Sequence, residues 1–169
     1  RSSIGRVSHL PVLRLAPVKE NRNNCPFLTE NHCAIHEAEP LVCALYPLAQ
    51  EISRAGEVLY FLQPTGCGGQ VIEARVQDYL ARYNVPAREA IDVRWAQTCM
   101  ALEDMVERLE TVLSPVLVRR MQAKLWQALY FGYDYAQDYL PQLEANLQTL
   151  DTELRKLTEY QKKRNNSSK

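Results

Sequence analysis

From residue 71 onward the apolar positions recur every three or four residues, the pattern of helices that bury one face. The spacing predicts a first helix over about 71–83, with Ile72, Val76, Tyr79 and Tyr83 on one side, broken by Asn84-Val85-Pro86. A second, over about 87–113, carries Ile91, Trp95, Cys99, Leu102, Val106, Leu109 and Leu113. Ser114-Pro115 is a start signal for a third, a capping residue followed by proline at the first helical position. Its stripe is Val118, Met121, Leu125, Ala128, Gly132 and Ala136, where glycine and alanine should let a neighbouring helix approach closely. Tyr139-Leu140-Pro141 is expected to interrupt or kink the pattern. A fourth helix then carries Leu143, Leu147, Leu150, Leu154 and Leu157. That seam is short for a free coiled coil and suits packing in a bundle. Lys162 to Lys169 is polar and expected to fray.

The first seventy residues follow a different rhythm. Leu13 and Leu15 alternate around Arg14 between Pro11 and Pro17, which predicts a short edge strand. Lys19 to Asn24 is polar loop. Residues 25–47 are interrupted by Pro26, Pro40 and Pro47, leaving only Glu37 to Tyr46 with room for a couple of helical turns. Residues 48–63 predict a hairpin. Leu48 and Ile52 alternate with Gln50 on one arm, and Val58, Tyr60 and Leu62 mark the other. Arg54-Ala55-Gly56 is the turn, with Gly56 free to take a positive φ. The expected fold is mainly α (α+β): an irregular cysteine-rich region with a small hairpin at 1–70, and a bundle of about four helices at 71–160. The two form one compact domain, followed by a frayed tail at 161–169.

A chain of 169 residues is long enough for a hydrophobic core. Twenty basic residues balance twenty acidic ones, which argues against nucleic acid and against electrostatic membrane attachment. No apolar run approaches the roughly 20 residues that span a bilayer. The sequence opens on Arg1, so the natural start is expected to lie upstream, where a targeting segment would also sit. Five cysteines are an odd number for a disulfide framework. A reducing compartment, the cytoplasm, is the expectation.

Four of those cysteines fall between residues 25 and 67, in the pattern C-x7-C-x9-C-x23-C. The paired C-x2-C knuckles of a zinc ribbon are absent. Two features nevertheless favour Cys25, Cys33, Cys43 and Cys67 as thiolate ligands over plain buried residues. They sit in irregular backbone and not on apolar stripes. Cys67 also lies in Gly66-Cys67-Gly68-Gly69, where bare backbone can approach and amide N–H groups can point at sulfur. The hairpin would return the chain so that Cys67 meets the other three. Cys99 is the contrast: its place on a helical stripe between Trp95 and Leu102 marks it as a structural core cysteine. His36, three residues from Cys33, is a possible ligand or a residue behind the ligands, and Glu37 a candidate acceptor there. His9 and His32 are expected at the surface. Trp126, Tyr130, Phe131, Tyr133, Tyr135 and Tyr139 are expected to be packing bulk. No phosphate-binding glycine loop, nucleophile elbow or HExxH motif occurs, so nothing marks the chain as an enzyme by itself.

The run CPFL-x4-C-x-IHE-x2-P-x2-C-x-LYPL, followed by TGCGG, resembles the zinc- or iron-chelating cysteine-cluster family, the YkgJ-type proteins. The matching residues are Cys25, Pro26, Phe27, Leu28, Cys33, Ile35, His36, Glu37, Pro40, Cys43, Tyr46, Pro47, Cys67 and Gly68, and the stretch they span is roughly a quarter of the chain. The resemblance implies a cysteine-rich site for zinc or iron. A related domain in a flagellin lysine methylase is thought to carry an iron–sulfur cluster. This chain departs from the family in two ways. Residues 1–24 lack the further cysteine group the family usually carries, and Glu39 stands where a basic residue commonly precedes the proline. The leading expectation is a metal-binding protein that holds an iron–sulfur cluster or a zinc ion through Cys25, Cys33, Cys43 and Cys67. The alternatives are a helical interaction module that binds a protein partner or a second copy through 143–157, and an accessory domain of a modifying enzyme such as a protein methylase.

Overall fold

Prolines that look like breaks in the sequence turn out to begin helices. The computed structural model describes residues 2–7, 9–15, 25–30, 32–64 and 75–167. Helix α1 spans Leu41–Ala44, α2 Val76–Arg82, α3 Val85–Val112, α4 Pro115–Trp126 and α5 Tyr139–Ser167. Pro86 is the second residue of α3 and Pro141 the third of α5. In a first turn the N–H has no intrahelical acceptor, so a missing one costs nothing. The expected interruption at Tyr139-Leu140-Pro141 is thus a start. Asn84, at φ 54°, ends α2, as the break at Asn84-Val85-Pro86 predicted. Residues 71–74 of the first predicted helix lie outside the described residues. The tail also differs from expectation: α5 continues to Ser167, with Gln161 donating to Asn165 Oδ1 at 2.8 Å one turn on. Residues 161–167 contain no proline or glycine, and their glutamine, lysine and arginine sustain a helix.

The chain divides into two units. One comprises Arg1–Ala16 with Cys99–Lys169, the other Pro17–Thr98. The division therefore falls inside α3, not near residue 70, and the N-terminal residues group with the C-terminal helices. The fold is mainly α with small antiparallel hairpins.

In the first unit, β1 (Ser2–Val7) pairs with β2 (Leu10–Leu15), with Arg6 opposite Pro11. The partner strand β1 was not foreseen. Both strands of a two-stranded sheet are edges, so Pro11 is accommodated within β2. His9, expected at the surface, is half-buried. Its Nδ1 lies 2.7 Å from Glu110 Oε2 on α3, and Gln122 of α4 donates to its carbonyl at 3.1 Å. The Tyr130 hydroxyl donates to the Pro11 carbonyl at 3.2 Å. These bonds pin the hairpin to the helices. The core is built from Val106, Leu117, Met121, Leu125, Leu143, Leu150 and Leu154, none more than 3% exposed. Most of the predicted leucine seam on α5 is therefore consumed inside this unit and is not left for a partner.

After Trp126 the helix widens into a π turn over Gln127–Phe131 that stops at Gly132. Ala136, assigned to the same stripe, lies in an exposed turn instead. The close approach predicted at Gly132 is real. A Cβ there would lie 2.9 Å from Asn146 Nδ2, which donates to the Gly132 carbonyl at 2.8 Å. The aromatic run is mostly packing: Trp126–Tyr130 and Tyr133–Tyr139 ring centroids are 5.0 and 5.1 Å apart, while Tyr135 is 98% exposed.

In the second unit, β5 (Leu48–Ile52) and β6 (Val58–Leu62) form the predicted hairpin. Gly56 takes φ 87°, and Gln97 of α3 donates to the Arg54 carbonyl at 3.3 Å, holding the turn. Leu45, Leu48, Leu80 and Val85 form the core, with Leu41, Tyr60, Tyr79 and Tyr83 packed against it. Replacing Gly56 with alanine should cost about 1–3 kcal/mol, because φ is unfavourable for any Cβ. That Cβ would also meet Val93 and Gln97 at 3.2 Å. A urea midpoint equal to wild type would contradict this. Among the described residues no helix is long and apolar enough to cross a membrane.

Candidate thiol site

Two very short elements carry the first cysteines. The Cys25 carbonyl accepts from the Leu28 N–H at 3.1 Å, closing a turn. The chain then forms β3 (Leu28–Thr29) and β4 (His32–Cys33), with Leu28 opposite Cys33. Glu30, at φ 49°, lies in the turn between the two strands. The Phe27 carbonyl accepts from Ala34 at 2.8 Å, one step further down the ladder. Cys25 and Cys33 are thus held on one small hairpin. A 3-10 turn over His36–Ala38 leads to extended Glu39 and then Pro40. The Pro40 carbonyl accepts from the Cys43 and Ala44 N–H groups at 2.8 and 3.1 Å, which nucleates the single turn of α1.

Cys25, Cys33 and Cys43 are all exposed free thiols. The Cys43 thiol is raised above its ordinary pKa, first by partial burial and then by the charges of Glu39, Cys25 and Cys33. A group whose acidity responds to three others of like charge is one that a cation would relieve. Among the described residues no group of three or more His, Cys, Asp or Glu is arranged to hold a metal ion. Cys67 and the glycines around it lie outside the described residues. The described residues on either side of that segment are fixed at adjacent points just past Cys43. The Gln63 N–H donates to the Pro47 carbonyl at 2.9 Å, and the Tyr79 hydroxyl donates to the Tyr46 carbonyl at 2.7 Å.

His36 faces Glu39, not Glu37: its Nδ1 lies 3.3 Å from Glu39 Oε2. The imidazole is 72% exposed and the carboxylate 12%, so the negative charge beside Cys43 belongs to a mostly covered group. Glu37 and His32 are exposed. The residue that sequence reasoning passed over is Tyr79. Its apolar spacing placed it on a packing stripe, and its hydroxyl reaches a turn more than thirty residues earlier in the chain, which periodicity does not encode.

Cys99 belongs to the α3 residues of the first unit. It is half-buried, and burial followed by the Glu103 carboxylate pushes its thiol up to about 11. At pH 8 the folded protein should therefore alkylate with iodoacetamide at Cys25, Cys33 and Cys43 well before Cys99, as read by peptide mass spectrometry. Equal rates at all four would refute the placement. The neutral thiol of Cys99 contributes stability present below the ordinary value of 9.0 and lost as pH rises through about 11.

Compared with known proteins, the chain matches no family model, no curated protein and no solved structure.

Proposed function

We propose that the protein is a thiolate metal-binding protein in which Cys25, Cys33, Cys43 and Cys67 hold a zinc ion or an iron–sulfur cluster. What supports this is that Cys25 and Cys33, held on one small hairpin, and Cys43, on α1, are exposed free cysteines, and that the charges of Cys25 and Cys33 bear on the Cys43 thiol. Apolar packing does not explain three exposed cysteines in this stretch. The donor set is chemically suited to a soft or borderline cation. Cys67, which the sequence pattern groups with the other three, is proposed as the fourth donor. Four thiolates on zinc make a closed structural site, whereas on iron they support electron transfer or sensing. Glu39 adds negative charge near the thiolates and so favours the more cationic partner state. Thiolates of this kind need a reducing compartment, so the cytoplasm is the location that this reading favours.

Purification without oxygen, followed by metal analysis and visible absorption, is the test. A brown protein with iron and acid-labile sulfide supports the cluster, and a colourless one with stoichiometric zinc supports the ion. Protein free of both metals, which also binds neither on reconstitution, ends the proposal.

A further inference from the structure

We infer that Tyr79 is the positioning residue of the thiol site, its hydroxyl holding the turn that presents Cys43. This rests on the metal-binding reading above. Helix α1 is a single turn, far too short to persist alone, and its own support is the backbone bonds that its Leu41 and Cys43 carbonyls accept from Leu45 and Tyr46. The Tyr79 hydroxyl adds a bond from outside the turn. It donates to the Tyr46 carbonyl at 2.7 Å and, more weakly, towards the Ala44 carbonyl at 3.2 Å. The Tyr46 N–H returns to the Cys43 carbonyl at 3.2 Å. Residues 43–46 are thereby tied into one small network whose far end is a helix packed into the core. Tyr79 itself is half-buried, its ring centroid 5.2 Å from that of Tyr83, beside Leu80 and Val85. Burial, first, and then Tyr83 keep its hydroxyl protonated, as a donor must be.

The chemistry explains why a tyrosine stands here. Phenylalanine would fill the same volume in the core and lose only the donor. An exposed cysteine on a lone turn would otherwise sample many directions, and a metal would have to order it on binding. Tyr79 removes that ordering cost beforehand, as residues behind metal ligands commonly do.

The test compares Tyr79→Phe with Tyr60→Phe in the full chain. Tyr60 belongs to the same core, but its described hydroxyl bond is with Gln50, at 3.0 Å. Cadmium titration read by thiolate charge-transfer absorption should show affinity falling about 10- to 100-fold for Tyr79→Phe and unchanged for Tyr60→Phe. Iodoacetamide labelling of the metal-free folded protein gives a second readout: Cys43 should react faster in Tyr79→Phe, relative to Cys25. Wild-type affinity and an unchanged Cys43 rate in Tyr79→Phe overturn the inference, as does equal weakening by both variants. If the wild-type chain takes up no more cadmium than the Cys25→Ser/Cys33→Ser/Cys43→Ser variant, the metal reading fails, while the labelling rates still decide whether Tyr79 positions Cys43.

Discussion

Serine in place of Cys43 is expected to abolish stoichiometric metal binding while leaving the fold intact. The oxygen is smaller, harder and far less acidic than sulfur, so it offers no thiolate at neutral pH. Loss of a direct ligand should exceed the about 10- to 100-fold loss typical of residues behind the ligands. The fold should survive because Cys43 is exposed, whereas its neighbours Ala44 and Leu45 are 7% and 3% exposed and supply the local packing. Removal of Cys43 also removes the shared like charge, so its effect should exceed that of His36→Ala, whose ring is largely in solvent and paired with Glu39. Far-ultraviolet circular dichroism and metal analysis on the same preparations check this. Cys43→Ser protein that retains a full complement of metal would mean that the three thiols do not act together.

Truncation of Leu143 to alanine should cost about 2–5 kcal/mol, a large part of the 5–15 kcal/mol available to an ordinary domain. Leu143 is completely buried, as are Leu117, Met121 and Leu125 on α4. The cavity left behind has few ways to collapse, because Gly132 and Asn146 already hold this end of α5 against the π turn. Leu154→Glu should be worse, since it buries a charge at a site only 3% exposed. These outcomes separate an internal seam from a partner surface. Urea unfolding read alongside light scattering is the measurement. A folded, stable Leu154→Glu protein with an altered oligomeric state would instead restore the partner interpretation of residues 143–157.

Much of the helical architecture was legible, because period and capping are local properties. The stripe Met121, Leu125 and Ala128 is buried as its spacing required, and Asn84 and Ser114 fall where α2 has ended and α4 begins, although the Ser114 hydroxyl makes no capping bond. The hairpin turn at Gly56 was legible for the same reason. The differences share a cause. Pro141 reads as an interruption in sequence because a proline's consequence depends on where the helix begins, and that is settled by packing. Strand β1 has weak alternation and exists through its pairing with β2. His9 looked like a surface residue because nothing in its vicinity in sequence reveals Glu110, a hundred positions away.

By itself the sequence determined which residues could do chemistry: four cysteines in one punctuated stretch, a fifth on a helical stripe, and no catalytic motif. It also determined the periodic helices, since burial of one face is written into spacing. Only the tertiary structure decided that His36 pairs with Glu39 and that the Tyr79 hydroxyl bonds to the Tyr46 carbonyl, three residues past Cys43. It also decided that Leu143, Leu150 and Leu154 of α5 are buried inside their unit. The physical reason is that electrostatics and side-chain hydrogen bonds act through space over a few ångströms, and chain order says little about which residues will share that distance.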